Sequence, residues 1–130
     1  MFKVQCLMGM EVFQFESLTA WIKAKELTLS VYRLVAKFPQ HEQFALCSQI
    51  RRAAISIPSN IAEGSGRISM KEKAHFVEIA FGSLTETYCQ LLLAVDLGYI
   101  ATAELEAIKS QFSDTSRLMS DLRNSYTSKH

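Results

Sequence analysis

Apolar residues recur along this chain at steps of three and four, the spacing of one helix face, and the strict alternation of a half-buried strand is absent. The pattern predicts four helical segments, at about residues 17–38, 40–63, 70–97 and 102–127. In the first, Leu18, Ile22 and Leu29 share one face, Ala24, Leu27, Val31, Leu34 and Phe38 fill another, and Ser17 reads as the N-cap. The second starts near Pro39, a residue tolerated in a first helical turn. It carries Leu46, Ile50, Ala53 and Ile57 on one stripe, with Phe44 and Ile55 roughly opposite. The third opens on "SMKE", where Ser69 and Glu72 have the spacing of a capping box, and Gly98 is placed to end it. In the fourth, Leu105, Ile108, Phe112, Thr115, Met119, Leu122 and Tyr126 form one seam of a left-handed bundle. Helices joined by short connections predict a single all-α domain, an antiparallel up-down-up-down four-helix bundle.

A surface helix needs one apolar stripe, and the first two segments have two each. That predicts a homo-oligomer, with Phe44 and Ile55 as candidate interface residues. The stretch "SIPSNIAEGSGR" interrupts the pattern. Pro58 predicts a kink or break between Ile55 and Ser59, with "NIAEG" as a last turn closed by Gly64 and "SGRI" as a loop. Gln49, Arg52, Ser56, Asn60 and Glu63 recur along one flank of the second segment, and Gly82, Ser83 and Glu86 offer a small polar counterpart on the third. We read Gln49, Arg52, Ser56, Asn60, Glu63 and Glu86 as a structural polar network rather than a functional pocket. In it Arg52 pairs with Glu86, and Asn60 and Glu63 bind backbone groups. Gly82, costly inside a helix, implies close packing.

Composition narrows the chemistry. The 130 residues are 48% hydrophobic and 21% charged, with net charge +1, so bulk electrostatics do not mark a nucleic-acid binder. No apolar run approaches the ~20 residues that span a bilayer, so no membrane partner is expected. "MFKVQCLMGM" makes a poor signal peptide; Met8 and Met10 are alternative starts, and residues 1–9 are expected outside the fold. Cys6, Cys47 and Cys89 are dispersed, as in a reduced, cytoplasmic protein.

Arg51, Arg67, Lys71 and Lys73 are the candidate nucleic-acid contacts, gathered at the turn between the second and third segments. "GSGR" lacks the GK[ST] of a phosphate loop, although Ser65, Gly66, Arg67 and the following helix start could hold one phosphate group. Glu72 and His75 form one Glu-x-x-His step, whereas a carboxylate di-metal site needs two such steps and two more inward glutamates. Glu63 and Glu86 alone are insufficient, and His41 and His130 lie near a segment start and the chain end. A carboxylate metal site is thus a remote alternative. No catalytic residue, metal or cofactor is expected.

"FPQHEQFALCSQIRRAAISIPSNIAEGSGR", followed by "IAFGSLTE" and "LGYI", resembles the four-helix-bundle proteins named for 23S ribosomal RNA intervening sequences, from about Leu18 to Leu122. The accessory protein of diversity-generating retroelements, which partners a reverse transcriptase, shares that fold. The resemblance implies an up-down bundle assembled as a ring-like homopentamer, without known catalytic activity. The retroelement proteins are conspicuously basic, and this chain departs from them in charge. Two functions follow as expectations: an oligomeric nucleic-acid or ribonucleoprotein accessory factor that meets RNA, DNA or a nucleic-acid enzyme, and a protein-interaction scaffold that binds no nucleic acid.

Overall fold

Glu16 sets the entry to the first helix. Its carboxylate accepts the backbone N–H groups of Val12 and Phe13 at 2.9 Å, and Gln14–Ser17 winds into one 3-10 turn. The computed structural model describes residues 12–128. The expectations for residues 1–9, Met8, Met10, Cys6 and His130 lie outside the described residues. Four α-helices follow: α1 (Thr19–Val35), α2 (Leu46–Ser65), α3 (Met70–Asp96) and α4 (Thr102–Thr127). Among the described residues there is no strand, and the fold is all-α. Each helix packs against the next and α4 packs against α1, while α1 and α3, like α2 and α4, do not meet.

The shared core is apolar and continuous. Leu27 and Val31 of α1, Ile50, Ile57 and Ile61 of α2, Val77 and Leu91 of α3, and Phe112 and Met119 of α4 are all buried in it. Each such side chain contributes on the order of 1.5–3 kcal/mol of burial free energy. Gly98 ends α3 at φ +81°, where a side chain would be strained. The turn is closed by Tyr99 N–H on the Ala94 carbonyl and Gly98 N–H on the Val95 carbonyl, both at 3.0 Å, the two bonds of a Schellman ending. Ser69 caps the start of α3 by accepting the Glu72 N–H at 3.1 Å.

The helix ends depart from the sequence reading in four places. Ser17 does not cap α1: its hydroxyl donates to the Gln14 carbonyl, and Leu18 occupies the cap position without a side-chain bond. The first helix stops at Val35, because the Gln43 side-chain amide takes the carbonyls of Val35 and Phe38, at 3.2 and 3.1 Å. Pro39 leads only a 3-10 turn, Gln40–Glu42, and Ala45 (φ −121°, ψ −99°) separates that turn from α2, which starts at Leu46. Finally, α2 runs through Pro58 with no break and reaches Ser65. Proline inside a helix costs about 3 kcal/mol, in part because the carbonyl four residues back loses its donor. Here that carbonyl, of Ala54, accepts the Thr28 hydroxyl from α1 at 3.1 Å.

The glycines exchange roles as well. Gly64 does not close α2 but lies within it, where a Cβ would sit 2.7 Å from the Phe76 Cβ and 3.2 Å from the Lys73 carbonyl oxygen. It lets α2 and α3 cross closely, and Gly66 is the C-cap. Gly82, expected at a close contact, has no atom within 4 Å of a Cβ placed on it.

Candidate functional site

Polar groups do line the seam between α2 and α3, in a looser arrangement than the spacing suggested. The hydroxyls of Ser56 and Ser83 bond at 2.8 Å across the seam. Asn60 donates from Nδ2 to both the carbonyl and the hydroxyl oxygen of Ser56, each at 2.8 Å. One end of the seam carries Gln90, whose Nε2 donates to Glu86 at 3.2 Å and reaches Gln49 at 3.5 Å. Arg52 and Glu86 border the same shallow cleft but form no ion pair, and both are exposed. Two charges in water gain little from pairing, so nothing fixes the long Arg52 side chain onto Glu86. Glu63 bonds no α3 amide; it pairs with Arg67 at 2.7 Å on an exposed surface.

The four candidate nucleic-acid contacts do not form one cluster. Arg51 lies in the second turn of α2 and Arg67 just past its end, and the helix between them, Arg51 to Ser65, is about 21 Å long at the helical rise, so they stand toward opposite ends. The Arg51 guanidinium is occupied: Nη2 donates to the Gln43 carbonyl at 2.8 Å and Nη1 to the Gln43 side chain at 3.3 Å. Arg67 pairs with Glu63 and stacks over the Phe76 ring, 4.6 Å from its centroid. Lys73 donates to the Ser65 carbonyl at 2.7 Å, satisfying the end of α2, and stands 5.7 Å from the Tyr126 ring. Lys71 alone of the four is exposed and makes no salt bridge among the described residues.

His75 and Glu72 are exposed in the first turns of α3, outside the core. No group of three or more His, Cys, Asp or Glu side chains suited to a metal ion occurs among the described residues. A tighter polar knot, which spacing did not reveal, joins the α1–α2 connection to the residues after α3. The Tyr99 hydroxyl donates to Glu42 at 2.6 Å, and the other oxygen of Glu42 accepts the Leu46 N–H at 3.3 Å. The Tyr99 bond, then the Leu46 bond, hold the Glu42 carboxyl below the usual carboxylate range, and the same carboxylate pushes the Tyr99 phenol up. Burial pushes the Cys47 thiol up, so it is a poor nucleophile.

What the outer surface does offer is apolar area. Leu29 and Tyr32 of α1, and Phe44 and Ile55 from the start and middle of the α2 region, are all exposed, Phe44 at 91%. At 100° per residue, Leu29 and Tyr32 share one side of α1; Phe44 lies in the turn before α2, and Ile55 lies on α2. Tyr32, Phe44 and Arg51 border one shallow pocket between α1 and the start of α2. Tyr32 was not visible as a member of this group from the sequence; its spacing of three from Leu29 was the available signal.

No curated protein matches the chain. Among solved structures, the fold is similar to a protein of unknown function from the S23 ribosomal protein family of Bacteroides thetaiotaomicron, with TM-score 0.71 and 22% identity, over 81% of this chain and 98% of that one. Among the described residues, no helix is long and apolar enough to cross a membrane. The family model described as 23S rRNA-intervening sequence protein matches residues 16–121, most of the chain, and the chain belongs to that family.

Proposed function

We propose that this chain is a non-catalytic, self-associating four-helix bundle of up-down-up-down topology that acts as a protein-interaction scaffold in the cytoplasm. Cross-helix pairs support that topology: Gln49 meets Gln90 while Ser56 meets Ser83, so one helix number rises as the other falls. The observation that carries the reading is the exposure of Leu29, Tyr32, Phe44 and Ile55. Large apolar residues exposed together on neighbouring elements mark protein-interaction surfaces, and a second protein surface is their natural cover. A ring-like homopentamer is the assembly that the family resemblance favours.

Light scattering on the purified protein at micromolar concentration tests this, with an oligomer expected and a monomer overturning it. Ile55→Asp should weaken assembly and leave helicity unchanged. A nucleic-acid accessory role is the second reading, favoured by exposed Lys71 and by the family's name. It receives less support, because Arg51, Arg67 and Lys73 are engaged within the protomer. A salt-dependent RNA and DNA titration of the oligomer separates the two: the scaffold reading expects no saturable binding at physiological salt.

A further inference from the structure

Where α3 packs against α4, an open cleft of about 530 Å³ is lined by side chains of those two helices alone. Its floor is apolar. Leu84 and Phe112 belong to the buried core, and Tyr88 packs edge-on to Phe112 with ring centroids 5.0 Å apart. Its rim is basic. Lys109 and Arg117 both come from α4, eight residues or about 12 Å apart at the helical rise, and Ser113 and Ser116 lie between them.

We infer that this cleft binds a small organic anion with a flat apolar body, of the aryl carboxylate, sulfonate or phosphate class. The inference stands apart from self-association, which was read from residues of α1 and the α2 region. Three observations carry it. The first is unbalanced charge: two cations line the cleft and no carboxylate does. Clefts elsewhere on the surface differ. Glu78, Glu63 and Glu86 stand in the walls of three of them, and the arginine of the cleft beside Phe44 is held by Gln43.

The second observation is that both cations are available. Glu106 stands 3.6 Å from Lys109 and Asp114 stands 3.7 Å from Arg117, beyond hydrogen-bond distance, and all four side chains are more than half exposed. Exposed pairs of this kind hold little, so an anion seated over the apolar floor competes with them. The hydroxyls of Ser113 and Ser116 can donate to the same anion.

The third observation is that the floor is already built. Leu84 and Phe112 are fixed by the core whether or not anything lies above them, so a ligand pays no ordering cost there. A flat ring laid against Tyr88 and Phe112 gains aromatic contact beyond the area it buries. The volume falls within the range of small-molecule sites, about 300–1,000 Å³, and the two cations bound a length too short for a partner helix.

Naphthalenesulfonate is the probe, and naphthalenemethanol, the same ring system without charge, is its control. Titration calorimetry of the full chain should give saturable binding of the sulfonate, with the alcohol about tenfold weaker or more. Lys109→Gln combined with Arg117→Gln should weaken the sulfonate by a similar factor and leave the alcohol unchanged. Both side chains are exposed, and far-UV circular dichroism should match the parent. Arg33→Gln combined with Lys71→Gln removes the same charge from other exposed positions and should leave both affinities unchanged. Ser113→Trp fills the cleft but keeps its cations, and should abolish binding of both probes.

The inference fails if the sulfonate does not saturate, if the alcohol binds as tightly, or if the two pairs of substitutions weaken the sulfonate equally. Parent-like binding by Ser113→Trp puts the probe elsewhere and overturns it as well. A change in assembly mass by light scattering for Lys109→Gln with Arg117→Gln would give the cleft to a second copy of the chain, and the small-anion site would be withdrawn.

Discussion

The Thr28 hydroxyl of α1 bonds the carbonyl oxygen that Pro58 leaves without its helical donor, that of Ala54 on α2, at 3.1 Å. Its single proton is shared with the Ala24 carbonyl at 2.8 Å. Thr28 is buried. An unsatisfied buried carbonyl costs about 1–3 kcal/mol. The pair explains why a proline is tolerated in mid-helix and why a hydroxyl sits within an otherwise apolar core face.

Thr28→Val, nearly equal in volume, should therefore destabilise by about 1–3 kcal/mol. In a Pro58→Ala background the new backbone N–H at position 58 can bond the Ala54 carbonyl, and the cost of Thr28→Val should shrink. Chemical denaturation of the four proteins measures the coupling. Equal costs in both backgrounds would show that the two residues act independently.

The two glycines of "GSG" should behave oppositely. Gly64→Ala forces a methyl to 2.7 Å from the Phe76 Cβ, beside the Lys73 carbonyl, and overpacking of that kind costs about 1–3 kcal/mol. Gly66 has an ordinary helical φ and only the Glu63 carbonyl nearby, at 3.6 Å, so Gly66→Ala should stay within about 0.5 kcal/mol of the parent. Denaturation midpoints of the two variants decide it.

These cases mark where the sequence was legible. Four helices and their inward seams follow from a period that every turn repeats, so single errors average out. The α4 seam shows this: Leu105, Phe112, Thr115 and Met119 are all buried. Helix ends depend on one or two side chains whose partners are remote in sequence. Nothing local says that Gln43 will hold the end of α1, that Thr28 will serve Ala54, or that Gly64 rather than Gly82 meets a neighbour. Arg51 falls outside the expected basic cluster for a related reason: spacing locates a guanidinium on a helix but not the group that already occupies it.

Adjacent arginines make that point measurable. Arg52 is exposed and without an ion pair, so Arg52→Ala should change stability by less than about 0.5 kcal/mol, not by the ~3 kcal/mol expected of a buried pair. Arg51→Ala removes two bonds to Gln43, one to its carbonyl, and should cost about 1–2 kcal/mol. A larger loss for Arg52 than for Arg51 in urea denaturation would overturn this assignment.

The Glu42–Tyr99 bond predicts how stability depends on pH. The Glu42 carboxyl is held below its unfolded value first by the Tyr99 hydroxyl and then by the Leu46 N–H. A lowered folded pKa means that the unfolded chain binds more protons in acid. The stabilisation is thus present above the unfolded carboxylate pKa, near ~4.3, and is lost as pH falls through the folded value. Tyr99 is raised, chiefly by its hydrogen bond to Glu42. Its contribution is full below the unfolded phenol pKa, near ~10, and is lost as pH rises through the folded value. Between those limits both groups favour the folded chain. Tyr99→Phe should therefore lower stability across the neutral range and flatten both the acid and the alkaline limb. Thermal melts of parent and variant from acid to alkaline pH measure this. If the acid limb were equally steep in both, Glu42 would owe its low pKa to the Leu46 N–H and not to Tyr99.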